Sequence, residues 1–174
     1  DSDLSLAVNV SPRQFSDPDF VGYLERVLGE SGADPRRLTL EITEGLAMAN
    51  IQHSIDTMHR LKALGISFSV DDFGTGYSSL SYLHQLPIDE LKIDQWFVRN
   101  ITASSGNEVI VDTIIVMAQQ LDLKVVAEGI ESAEELDYLK QRQCDFFQGY
   151  HFAEPLPFDE FIRPAKPRSR LGNG

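Results

Sequence analysis

The chain has 174 residues, 42% of them hydrophobic and 24% charged, with a formal charge of −12. That suffices for one domain with its own core, and the composition is globular rather than disordered. Acidity without clustered Lys or Arg in the body of the chain argues against a DNA or RNA partner, and apolar runs no longer than Ile114–Ala118 argue against membrane insertion.

Leu4–Val10 reads as a buried strand, apolar until Asn9. A helix is expected next, started by an N-cap at Ser16 with Asp19 three residues on. Its inward face is Phe20, Leu24, Val27 and Leu28, and Ser31-Gly32 stops it. Leu38–Ile42 is the second strand. Ile51, Ile55, Met58 and Leu61 mark a helix with Gly65 at its C-cap. Ile66–Val70 is the third strand, left by a tight Gly74-Thr75-Gly76 loop, and a short helix through Leu80 and Leu83 leads to Pro87. Ile88–Ile93 is the fourth strand, Ile110, Ile114, Met117 and Leu121 stripe a long helix, and Leu123–Ala127 is the fifth strand. Ser132 and Glu135 form a capping box for a helix with Leu136 and Leu139 inward, and Cys144–Phe147 is the sixth strand. Residues 1–163 make one domain, and residues 164–174, rich in Pro, Gly and basic side chains, read as a disordered tail.

Short strands alternating with amphipathic helices predict an α/β fold, a parallel sheet covered by helices. Six βα units are two short of a closed (β/α) barrel of the TIM type, which takes about 250 residues. Either the sheet is open or the first two units are missing. In both cases the C-terminal strand ends share one rim, and each ends on a polar residue: Asn9, Glu41, Asp71-Asp72, Lys92, Glu128 and Gln148. Asn9, Glu41, Asp71, Asp72 and Glu128 offer only oxygen, the donor that hard divalent cations prefer. Adjacent residues on a strand face opposite ways, so Asp71 and Asp72 share a site only if the strand is ending there. Lys92, between Leu91 and Ile93, needs partners if buried. Among several carboxylates it stays charged and can hold water or a phosphate oxygen; the plainer reading is a structural salt bridge.

The motifs Asn9-Val10-Ser11, Leu40-Glu41-Ile42-Thr43-Glu44, Asp71-Asp72-Phe73-Gly74-Thr75-Gly76-Tyr77-Ser78-Ser79, Leu91-Lys92-Ile93-Asp94, Ala127-Glu128-Gly129-Ile130-Glu131 and Gln148-Gly149-Tyr150 stand in the order of the EAL family. From Leu4 to Phe161 the chain resembles these bacterial cyclic di-GMP phosphodiesterases. The Glu-Ala-Leu that names the family is not in this sequence, so the resemblance implies a TIM-like barrel truncated at its N-terminus, lacking one metal-binding Glu and of doubtful activity by itself.

The resemblance implies hydrolysis of cyclic di-GMP to linear pGpG with two divalent cations, Mg²⁺ or Mn²⁺. Asp71 would bridge them, Asn9 and Glu41 serving one and Asp72 and Glu128 the other; for Asp72 the alternative is an N-cap. Gln148 would orient water or substrate, or else be a satisfied buried amide, and Asp94 would brace Lys92 or touch substrate. Glu44 would anchor the Asp-Asp-Phe-Gly loop. Glu131 either supports the ligands from behind or favours the N-terminus of the next helix. The alternative function is a non-catalytic cyclic di-GMP receptor. Expected partners are the nucleotide and either a second copy, encouraged by open sheet edges, or an upstream regulatory domain, in the cytoplasm or on the cytoplasmic part of a membrane-anchored protein. His53, His59, His84 and His151 show no metal spacing and read as surface residues. Trp96 and Phe97 either stack on a guanine or pack their loop. Cys144, the only cysteine, reads as a small packed side chain.

Overall fold

Alternation within the strands positions everything else. In Leu40-Glu41-Ile42, Phe68-Ser69-Val70-Asp71 and Leu91-Lys92-Ile93 every second side chain is apolar, so each strand has one face to bury and one polar face. The computed structural model describes residues 4–75, 83–101 and 105–161. Strands β1 (Leu6–Asn9), β2 (Leu38–Thr43), β3 (Ser67–Phe73), β4 (Glu90–Ile93), β5 (Lys124–Ala127) and β6 (Phe146–Phe147) pair in that order, and every pair is parallel. Each new strand is laid beside the previous one, the winding of a TIM-like barrel, here six strands of it. Among the described residues the α-helices are α1 (Pro12–Phe15), α2 (Phe20–Ser31), α3 (Glu44–Ala49), α4 (Ile51–Ala63), α5 (Gln95–Arg99), α6 (Ser105–Gln120), α7 (Ala133–Gln141) and, after β6, α8 (Phe158–Phe161).

The register rows Leu40↔Phe68, Ile42↔Val70, Leu91↔Val125 and Ile93↔Ala127 form one continuous face, and all eight side chains are buried. Met58 and Leu61 of α4, Val111 and Ile115 of α6 and Leu139 of α7 join that core. The opposite face carries the row Asn9↔Glu41↔Ser69↔Glu90↔Lys124 across five strands. That polar face is the inside of the arc.

Several expected boundaries move. The first strand is not buried: all four β1 residues are exposed, Leu6 by 63%, because among the described residues β1 has β2 as its only neighbouring strand. Ser16 ends α1 rather than starting α2; the capping box is Ser11 with Gln14, and Asp19 precedes α2. Val27 stays exposed on α2. Leu64 caps α4, and Gly65 follows it at φ +100°. On α6 the buried apolar residues are Val111, Ile114, Ile115 and Ala118, while Ile110 is exposed. That helix is apolar on more than one side, so its sequence does not reveal which side packs. The Ser132/Glu135 box and inward Leu136 and Leu139 stand as expected. Gly76–Ser79, Leu80 and the tail lie outside the described residues.

Candidate active site at one mouth of the arc

The third strand does not stop at Val70. It runs through Asp71 and Asp72 to Phe73, with an irregularity in its pairing. Val70 pairs with Leu91 and Phe73 with Ile93, so three steps on β3 match two on β4. One extra residue is a bulge, and Asp72, at φ +54°, absorbs it in a left-handed conformation that Asp tolerates better than most residues. Val70 and Phe73 consequently both bury toward the helices, and the two residues between them are released to the other side. Two consecutive carboxylates thus come close to Lys92 without the strand ending.

Lys92 lies at the centre. Its Nζ is 2.7 Å from Glu128 Oε1, 2.9 Å from Glu41 Oε1 and 3.2 Å from Asp71 Oδ1. All four side chains are largely buried, Lys92 with only 5% of its side chain exposed. Burial alone would lower the lysine pKa, but its bonds to Glu128 and Glu41 and the charge of Asp71 more than reverse this, raising it well above the ordinary value. The ammonium is therefore fixed as a cation. Burial pushes the Glu128 carboxyl up and Lys92 only partly draws it back. Asp72 is raised by burial, by the adjacent Asp71 charge and by its contact with Asp94. Asn9 closes β1 in register with Glu41, whose carbonyl accepts from Val10 N at 2.9 Å.

The chain after β5 is held by the backbone. Gln148 N donates to Ala127 O (2.9 Å) and Ile130 N donates to Gln148 O (3.1 Å), which seats Gln148 beside Glu128. Gln148 is exposed rather than a buried amide. With Gln95, Arg99, Glu128, Gly129, Gly149 and Tyr150 it lines a cleft of about 180 Å³. Gly149 is obligatory there, since a Cβ on it would lie 2.2 Å from Ile130 O.

Other expected residues take different places. Asp94 Oδ1 accepts from Trp96 N at 2.8 Å and caps α5, and its carboxyl group also meets Asp72. Glu131 pairs at 2.6 Å with Arg99, which lines the cleft. Glu44 opens α3 and is buried, with its Oε2 unpartnered. Phe97 packs in the core, whereas Trp96 is 58% exposed. His59, His84 and His151 are exposed, and His53 is half-buried against Phe15. Cys144 is buried, its thiol pushed up to about 11 by that burial.

Sequence reasoning missed Arg99 and Gln95, one turn apart on α5, whose only signal was their position just after the fourth strand. It also missed Glu90, half-buried on the inner face and pushed up by burial and by the charges of Asp89 and Glu41. The signal was a charge inside an apolar strand.

Whether the site suits a divalent cation turns on two observations. The donors are all oxygen and three carboxylates converge, which suits a hard cation. Among the described residues, however, no three Asp, Glu, His or Cys side chains stand ready around one vacant position. The point where Glu41, Asp71 and Glu128 meet is occupied by the Lys92 ammonium.

An incomplete (β/α) barrel with an acidic, lysine-centred mouth defines a class of α/β enzymes with the site at the strand C-termini. The sequence pattern of the EAL domain matches residues 1–155, and this chain belongs to the EAL domain family. It is 44% identical over 163 residues to the cyclic di-GMP phosphodiesterase NbdA of Pseudomonas aeruginosa, covering 92% of this chain and 21% of that protein. The chain spans about a fifth of the length of curated relatives it matches. The structure of the PaMucR phosphodiesterase in complex with c-di-GMP superposes with a TM-score of 0.88 at 37% identity, covering 91% of this chain and 64% of that one. That of Klebsiella pneumoniae BlrP1 with manganese and cy-diGMP gives 0.79 at 34% identity, covering 87% and 39%. No helix among the described residues is long and apolar enough to cross a membrane.

Proposed function

We propose that this domain hydrolyses cyclic di-GMP to linear pGpG in the cytoplasm, using two divalent cations, Mg²⁺ or Mn²⁺. The observation that carries the reading is the meeting of Glu41, Asp71 and Glu128 on Lys92 at one mouth of the sheet. Relatives and neighbours named for c-di-GMP phosphodiesterase activity, or bound to the nucleotide with manganese, support it. Asn9, Glu41, Asp71, Asp72 and Glu128 would hold the cations, with Asp71 between them. When bound, such a pair acidifies water and neutralises phosphoryl oxygens.

The protein's own groups do the rest. Lys92 keeps its charge and presents an ammonium to an attacking water or a non-bridging phosphate oxygen. Gln148, exposed beside Glu128, orients water or a phosphate ester oxygen by its amide. Asp94, which caps α5 through Oδ1 and meets Asp72, would brace Lys92 or contact substrate. Glu44 keeps one buried oxygen free to anchor the Asp71-Asp72-Phe73-Gly74 loop, and Glu131 holds Arg99 at the cleft edge. Homodimers or attachment to an upstream regulatory domain would bring control.

The test is hydrolysis of cyclic di-GMP in Mg²⁺, followed by nucleotide chromatography. The 174-residue chain is assayed beside the same chain joined to the Glu-Ala-Leu segment of a relative. Formation of pGpG, lost in Glu41→Gln, supports the assignment. Nucleotide binding with no pGpG in either protein would favour a receptor instead.

A further inference from the structure

We propose that Lys92 is a built-in counter-cation that assembles the metal-free site and is displaced from its carboxylates when a divalent cation binds. The inference deepens the phosphodiesterase reading and rests on it. Three carboxylates from β2, β3 and the end of β5 are drawn within 3.2 Å of one nitrogen. Without that nitrogen, three negative charges would share a largely buried position, where repulsion is poorly screened. With it they are ordered in advance. The Lys92 backbone is locked in β4 between buried Leu91 and Ile93, paired to Val126 on one side. Only the side chain is able to yield.

The arrangement has a thermodynamic consequence. A cation that takes the carboxylates must break three ion pairs, so part of its binding energy is spent on removing the lysine. Affinity is lower than the carboxylates alone would give, and the empty site is more stable. This makes binding reversible at modest metal concentration while the empty protein stays folded. A residue that merely supported the ligands would have the opposite signature, because removing it would weaken the metal.

The first experiment measures Mn²⁺ binding to native protein and Lys92→Met by calorimetry, with melting temperatures at each metal concentration and no nucleotide present. The expected result is a lower melting temperature for metal-free Lys92→Met, a larger upward shift on adding Mn²⁺, and a dissociation constant at least tenfold smaller than the native one. Equal or weaker Mn²⁺ binding by Lys92→Met overturns the proposal. Where that variant does not fold, the native chain decides by the ¹⁵N resonance of the Lys92 ammonium. A resonance that moves or is lost on saturation with Mg²⁺ supports displacement; one unchanged at saturation refutes it. Metal binding with an unmoved lysine sinks this inference and leaves the phosphodiesterase reading standing, whereas absence of pGpG from both proteins of the hydrolysis assay sinks that reading, whatever the lysine does on metal binding.

Discussion

A single inserted residue decides the chemistry of β3. Alternation would have sent Asp71 and Asp72 to opposite faces, and the bulge at Asp72 sends both to the mouth. Glu41 shows the same economy, its position fixed from β2 and its charge shared with Lys92. Glu41→Gln should lower pGpG formation by roughly 100-fold or more, beyond the 10- to 100-fold typical of groups that only orient ligands; steady-state turnover checks this. Gly149→Ala forces a methyl group onto the Ile130 backbone. It should cost about 3 kcal/mol in urea unfolding, because neither backbone can retreat without losing its hydrogen bonds. Cys144 gives a pH signature. Its thiol is raised from 9.0 to about 11 on folding, so between those values the unfolded chain has lost the proton and the native chain retains it. Stability therefore falls as pH rises, at about 1.4 kcal/mol per unit from this group. Native protein should lose more stability between pH 9 and 11 than Cys144→Ala, measured by denaturant unfolding at each pH.

Among the elements, one anchoring device occurs twice. Asp89, just before β4, accepts from Phe68 N of β3 at 2.9 Å, and Asp145, just before β6, accepts from Val125 N of β5 at 3.0 Å. Each Asp also pairs with a lysine, Lys62 or Lys124. Both satisfy a buried amide at the entry of the preceding strand, which fixes register far from the mouth and so aligns the strand ends there. Asp145→Ala should cost about 1–3 kcal/mol, leaving Val125 N–H without its partner, and faster hydrogen exchange at Val125 than at Val70 would show the loss to be local. The capping box of α7 is legible from Ser132-Ala133-Glu134-Glu135 and is present in both directions, Glu135 N to Ser132 Oγ and Ser132 N to Glu135 Oε2. The start of α2 was misread because Asp17 makes its bond two residues on, to Asp19 N, and Ser16 ends α1 instead. A cap-like string of Ser and Asp fits the close of one helix as well as the start of the next.

At the scale of the molecule, an arc of six strands has two edges. β1 has one neighbour and exposes Leu6 and Val8; β6, at the other end, exposes Phe146 by 50%. Beneath β1 an apolar recess of about 510 Å³ is lined by Leu4, Leu6, Val27, Leu28, Leu38 and Phe161 among others. Unpaired parallel edges with apolar side chains recruit further strands. The 174-residue chain should therefore sediment with a weight that rises with concentration, and Leu6→Lys with Val8→Lys should reduce the rise; a constant monomer weight at high concentration would refute it.

The sequence by itself determined the βα rhythm, the polar strand ends and the identity of the donors, because periodicity and residue type are local properties. The strand order and the opposition of an apolar outer face to a polar inner face came from the fold, because an open sheet and a barrel share the same βα rhythm. Only the tertiary structure decided that Lys92 takes the centre of three carboxylates, that a bulge aims Asp71 and Asp72 together, that Arg99 meets Glu131, and that the first strand is exposed. Each of these depends on which atoms approach from a distant part of the chain, and spacing along one strand carries no record of its neighbours.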